Sequence, residues 1–101
     1  MTDFITVCRE TDIAPNAAQS FIVNGKEIAV YHIAGKFYAT QNACLHRNGP
    51  LAEGELKECT VICPWHGWEY DIPTGENLFN RAAKLKTFAV QVKHGEVQVA
   101  A

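Results

Sequence analysis

Cys44-Leu45-His46 and Cys63-Pro64-Trp65-His66, with sixteen residues between them, decide how this 101-residue chain is read. Each is a short stretch that pairs one thiol with one imidazole. Two thiolates and two imidazoles in mixed pairs are the ligand set of a [2Fe–2S] centre in which Cys holds one iron and His the other. Each pair then gives one ligand to each iron, so the two loops must face one another. Asn48-Gly49-Pro50 follows the first pair and Gly67 the second. These turn residues let backbone come close to a bound group.

The same four residues satisfy tetrahedral zinc, which remains the competing reading. Spacing weighs against it. Cys-x-His has one intervening residue where zinc knuckles commonly have two to four, and a zinc finger pairs Cys with Cys and His with His.

The two motifs, and above all Cys63-Pro-Trp-His66-Gly-Trp68, resemble those of Rieske proteins. The likeness covers 44–51 and 63–75 and, through the surrounding strand pattern, nearly the whole chain. It implies an all-β fold, a Rieske-like antiparallel β-sandwich with an inserted cluster-binding subdomain. The chain is then a single domain, 1–101, in which 42–84 hold the cluster and 1–41 with 85–101 form the base. Cys44, His46, Cys63 and His66 are the expected ligands of one [2Fe–2S] cluster, with the histidines at the exposed tip. The small size is similar to that of the ferredoxins of multicomponent ring-hydroxylating oxygenases. That resemblance implies a one-electron carrier between a flavin-containing NAD(P)H reductase and a terminal oxygenase. The alternative is a permanently bound small Rieske subunit of a larger oxidoreductase such as a nitrite reductase. A zinc-stabilised interaction module is the third reading, from another class.

Composition agrees with a soluble globular domain, at 48% hydrophobic and 20% charged residues. A net charge of −2 with scattered Lys and Arg gives no footprint for nucleic acid. Asp3, Arg9, Glu10 and Asp12 interrupt the first twenty residues, which therefore read as neither signal peptide nor anchor. No stretch approaches the roughly 20 apolar residues of a membrane span. Respiratory-chain Rieske proteins join their two loops by a disulfide, and the matching positions here are Gly49 and Trp65. That bridge cannot form. Cys8 and Cys59 are expected as buried thiols at strand positions, and the whole points to a cytoplasmic monomer. A catalytic oxygenase subunit needs a further mononuclear iron site with two His and a carboxylate, and a domain to hold it. Neither is present.

Turn signals place the strands. Phe4–Arg9 reads as the first; Gln19–Val23 and Lys26–Tyr31 flank Asn24-Gly25; Ala34-Gly35 leads into Lys36–Thr40. Leu85–Lys93 and Glu96–Val99 flank His94-Gly95, with Phe88, Val90 and Val92 expected on the core face. Thr60–Ile62 and Trp68–Asp71 read as short strands, and Ala14–Ala18 and Asn80–Lys84 as single helical turns. His32 and His94 are expected to be structural or solvated.

High-potential Rieske proteins place Ser two residues after the last His and Tyr four after it. This chain has Trp68 and Tyr70 there, so one donor to sulfur is missing and a second is a candidate. Many family members also close over the cluster with a proline-rich third loop. The corresponding stretch, Asn77 to Lys84, contains no proline. Phe79 and Arg81 are its most conspicuous residues for partner contact. Trp65 and Trp68 are expected to shield the cluster.

Overall fold

The computed structural model describes residues 3–65 and 67–101. Nine strands are formed among them: β1 (Phe4–Arg9), β2 (Ala17–Val23), β3 (Lys26–Ile33), β4 (Lys36–Gln41), β5 (Glu55–Lys57), β6 (Thr60–Ile62), β7 (Glu69–Asp71), β8 (Thr87–Lys93) and β9 (Glu96–Ala100). Every pairing is antiparallel. Six strands run in the order β1-β9-β8-β4-β3-β2, and β5-β6-β7 form a separate small sheet. No helix among the described residues is long and apolar enough to cross a membrane.

The six-stranded sheet is two three-stranded halves joined by a short seam, Ala39 with Phe88 and Thr40 with Thr87. The halves fold face to face. Ile28, Val30 and Ala39 from one bury against Val97 and Val99 from the other, with Ile5, Val7, Phe21, Phe88 and Val90 packed around them. Three two-residue turns set the registers: Asn24-Gly25, Ala34-Gly35 and His94-Gly95, all six residues at positive φ. That conformation matches the twist of the flanking strands. At Ala34 it is held by a residue that ordinarily avoids it.

β3 is the wall on which both parts of the molecule rest. Its Ile28 and Val30 face the sandwich core. Its Ala29, Tyr31 and Ile33 face the other way, into a second core with Cys44, Leu51, Val61, Cys63, Tyr70, Ile72 and Leu85. Alternation along one strand therefore feeds two cores, and the near-continuous apolar run Ile28–Tyr31 is its sequence trace.

Several expectations need correction. Ala14–Ala18 is not a helical turn: Pro15-Asn16 make a turn with Asn16 at φ 63°, and β2 starts at Ala17. A turn of 3-10 helix lies earlier, at Glu10–Asp12, where the Asp12 carboxylate accepts the Arg9 N–H at 2.9 Å, and a second is at Leu51–Glu53. Asn80–Lys84 forms no helical turn because side-chain oxygens of Asn77 and Asn80 capture the nearby backbone N–H groups. Strand β5 was not expected, and Cys59 is exposed in its hairpin turn rather than buried on a strand. Glu58 there sits at φ 55° without the glycine that usually marks such a bend. Val92 is exposed, where β4 and β8 diverge and leave an opening lined by Gly35, Tyr38 and Val90. Cys8 lies on β1 as expected, but only half-buried, beside a bulge.

The Tyr31 hydroxyl lies 2.8 Å from Thr40 Oγ1, which itself donates to the Gln41 carbonyl. Tyr31 is thus the donor of that pair. Ile28→Ala is expected to destabilise the fold by about 2–5 kcal/mol through lost transfer energy and a residual cavity. Tyr31→Phe, losing one neutral hydrogen bond, should cost about 0.5–1.5 kcal/mol. Urea titration followed by far-ultraviolet circular dichroism separates the two, and an equal loss would contradict the division of labour across β3.

Candidate metal centre

The first motif leaves the end of β4 through Gln41 and Asn42. Asn42 is buried. Its N–H donates to Glu27 O at 3.1 Å, its carbonyl accepts Leu51 N–H at 2.8 Å, and its side-chain oxygen accepts Ala52 N–H at 2.8 Å. The Gln41 amide spans the neck of the subdomain. It donates to Ala43 O at 2.7 Å and accepts Lys86 N–H at 2.8 Å, so one side chain ties the segment entering the subdomain to the segment leaving it.

Within the neck, each motif is a closed loop of one design. Cys44 N–H donates to Gly49 O at 2.9 Å, and Asn48 N–H returns to Cys44 O at 2.8 Å. Cys63 N–H donates to Trp68 O at 2.8 Å, and Gly67 N–H returns to Cys63 O at 3.1 Å. The fifth residue of each loop carries the left-handed backbone that reverses the chain, Asn48 at φ 60° and Gly67 at φ 74°. Asn and Gly are the residues that adopt it most readily.

The loops meet through specific contacts. A Cβ placed on Gly49 would lie 2.7 Å from Cys63 Sγ and 3.2 Å from the Trp65 ring, so only glycine fits between the second loop's sulfur and its indole. Trp68 stacks on His46, with ring centroids 4.6 Å apart and planes within 8°. Cys44 and Cys63 are both buried in one cluster with Tyr70, whereas His46 and Arg47 are exposed. Trp68 is half-buried against that cluster, and Trp65 is 55% exposed. Trp65 therefore covers Gly49 more than it seals the site. His66, the fourth expected ligand, lies outside the described residues. Among the described residues, no three His, Cys, Asp or Glu side chains gather as they would around a single ion.

Tyr70 Oη is the polar junction of the subdomain. It lies 3.2 Å from Cys44 Sγ and accepts Leu45 N–H at 3.2 Å. Either group can donate in this pair, and once Cys44 is a thiolate only the phenol has a proton to give. Burial, and then the adjacent Cys44, push the phenol well above its usual range, with Leu45 N–H and the Asn77 amide pulling partly back. Tyr70 thus stays protonated and able to donate.

The third loop is held by Asn77, which is buried and accepts the N–H groups of Phe79 at 2.9 Å and Asn80 at 3.0 Å. Arg81 pairs with Glu76 at 3.1 Å, and Phe79 is 80% exposed. These asparagines replace proline as the means of ordering the loop. Neither Asn42, Asn77 nor Gln41 stood out in the sequence, because the groups they bond come from distant segments. His32 and His94 lie away from the site as expected: His32 Nδ1 donates to Ile13 O at 2.8 Å while its ring stacks on Phe37, and His94 is in the β8–β9 turn.

The chain is similar to several known proteins. The chain is 34% identical to the ferredoxin CarAc of Metapseudomonas resinovorans over 96% of its own length and 92% of that protein's. It is 37% identical to the ferredoxin component of the naphthalene 1,2-dioxygenase/salicylate 5-hydroxylase systems of a Ralstonia species, over 76% of this chain and 75% of the other. A solved complex of reduced oxygenase and oxidised ferredoxin in carbazole 1,9a-dioxygenase contains a chain that superposes with a TM-score of 0.89 at 33% identity, covering 99% of this chain and 94% of that one. The family description Rieske [2Fe-2S] domain matches residues 3–89. With both cysteines buried in closed, facing loops and a tyrosine hydroxyl within hydrogen-bond reach of one sulfur, the chain belongs to the Rieske [2Fe-2S] domain family.

Proposed function

We propose that this chain is a one-electron carrier that takes electrons from a flavin-containing NAD(P)H reductase and passes them to a terminal oxygenase. In this reading the chain is one domain, 1–101, and 42–84 form its cluster-binding part. Cys44 and Cys63 hold one iron of a single [2Fe–2S] cluster, and His46 and His66 hold the other. It works as a cytoplasmic monomer with transient partners. The observation that carries the reading is the burial of both cysteines beneath an exposed His46. A redox centre that exchanges electrons with a partner needs one protected side and one accessible side. Relatives above 30% identity include ferredoxin components of naphthalene 1,2-dioxygenase systems, which favours a carrier over a permanently bound subunit.

The residues present fit that group. Two buried sulfurs, a glycine where a Cβ would strike Cys63 Sγ, and a tyrosine hydroxyl 3.2 Å from Cys44 Sγ suit thiolates that accept hydrogen bonds. When bound, the cluster supplies reversible uptake of one electron. The chain buries its sulfur side with Leu51, Val61 and Tyr70, and offers Leu45 and Trp65 as exposed apolar groups on the two loops, with the charge of Arg47 on the first.

Purified protein is expected to be red-brown, with two irons and two acid-labile sulfides per chain. Cys44→Ser and Cys63→Ser should abolish that content. Gly49→Ala should reduce it strongly, since the new methyl group would contact Cys63 Sγ. One zinc and no sulfide on elemental analysis would refute the reading.

The reduction potential should lie near the low end of the Rieske range, about −150 mV, because Trp68 stands where high-potential members have Ser. Tyr70→Phe removes a donor to Cys44 sulfur and should lower it further. Each ~1 kcal/mol by which that bond favours the reduced state corresponds to about 40 mV. Protein-film voltammetry reads both values, and an unchanged potential in Tyr70→Phe would show that the phenol does not tune the site.

Arg47→Glu should slow electron exchange with reductase or oxygenase while leaving spectrum and potential intact. The slowing should shrink as ionic strength rises, because an exposed charge at an interface rim acts mainly on association rate. Stopped-flow mixing with each partner across a salt series tests this. If Arg47→Glu and Leu45→Lys both react at wild-type rates with both partners, docking lies elsewhere.

A further inference from the structure

We propose that Trp68 is a positioning residue for His46, its indole fixing the plane of the imidazole across the gap between the two loops. The proposal rests on His46 being a cluster ligand. Trp68 is well placed to impose an orientation because it is itself held twice. Its carbonyl accepts the Cys63 N–H at 2.8 Å, and its side chain packs against the buried cluster that contains Cys44 and Tyr70. His46 lies in an exposed stretch of the first loop, where the indole reaches it. The two rings lie nearly parallel, 8° apart in plane and 4.6 Å between centroids, within the range of favourable aromatic stacking.

The physical consequence follows from the freedom left to a ligating imidazole. Binding through one nitrogen fixes that atom but permits rotation of the ring about the metal–nitrogen bond. The ring plane governs how nitrogen orbitals overlap those of the iron, and groups outside the ligand set determine that plane. A flat indole lying against one face restricts this rotation. Trp65 does different work. It leans on Gly49 of the first loop and is 55% exposed, so the two tryptophans are not interchangeable.

The test is pulsed electron paramagnetic resonance on the reduced, cluster-loaded protein, which reads the ¹⁴N coupling of each histidine nitrogen. Wild type should give two couplings. In Trp68→Leu one of them should shift and broaden while the other holds, and Trp68→Phe, which keeps a flat ring, should return it to the wild-type value. Trp65→Leu should leave both unchanged. If Trp68→Leu takes up no cluster, Trp68→Met is the ringless variant to read, and a cluster retained by Phe but by neither ringless residue also supports the requirement for a ring. Two couplings in wild type that are unmoved in Trp68→Leu would overturn the positioning role and leave the ligand assignment standing. Equal shifts in Trp65→Leu would overturn it too. No histidine nitrogen coupling in wild type would overturn the ligand assignment, and this proposal with it.

Discussion

The structure depends on each cysteine's own peptide closing the loop that carries it. Cys44 and Cys63 each donate their N–H forward to the sixth residue and accept on their carbonyl from the fifth. A thiol fastened only by its side chain would need a covalent or metal bond to stay in place. Here the backbone on either side of the sulfur is already satisfied, which removes the cost of burying unpaired polar groups in a core otherwise lined with Leu51, Val61 and Ile72. The left-handed residues Asn48 and Gly67 are what make such short closures possible.

Around these loops the molecule divides its apolar residues between two cores with β3 between them. The base sandwich draws on residues from both ends of the chain, through β1 and β9, and has the longer strands. The small sheet has three strands of three residues each and depends on the second face of β3 for its depth. That inequality makes the base the scaffold and the small sheet the dependent part. Asn42 and the Gln41 amide join them, converting a chain crossing into a fixed hydrogen-bonded neck.

Much of this was legible in the sequence, for identifiable reasons. Asn24-Gly25, Ala34-Gly35 and His94-Gly95 announce hairpins through local conformational preference, so β3, β4, β8 and β9 were read to within two residues at each end. The paired motifs identified both thiols and the exposed His46 from spacing and family likeness. What escaped is non-local. Strand β5 is three residues long and turns at Glu58-Cys59, which carries no turn signature, so Cys59 was misplaced. Ala14–Ala18 and Asn80–Lys84 looked helical because Ala favours helices, yet Asn16, Asn77 and Asn80 direct the backbone into turns. Tyr70 was readable as a candidate donor, but only the fold brings its hydroxyl to Cys44 Sγ and to the third loop's Asn77.

The duplicated closure also gives the two loops one hydrogen-bonded frame, within which they differ at one point. Both loops contain six residues between their closing bonds, Cys44–Gly49 and Cys63–Trp68, yet the imidazole sits two places after the first cysteine and three after the second. Because the closing bonds lie at the ends of each loop, the position of the histidine inside it is free to differ without reopening the frame. The backbone thus serves as a common frame, and the two sequences differ in which of its positions carries the imidazole. The same frame ends in a bare glycine in one loop and an indole in the other, so the loops differ in bulk while sharing one skeleton.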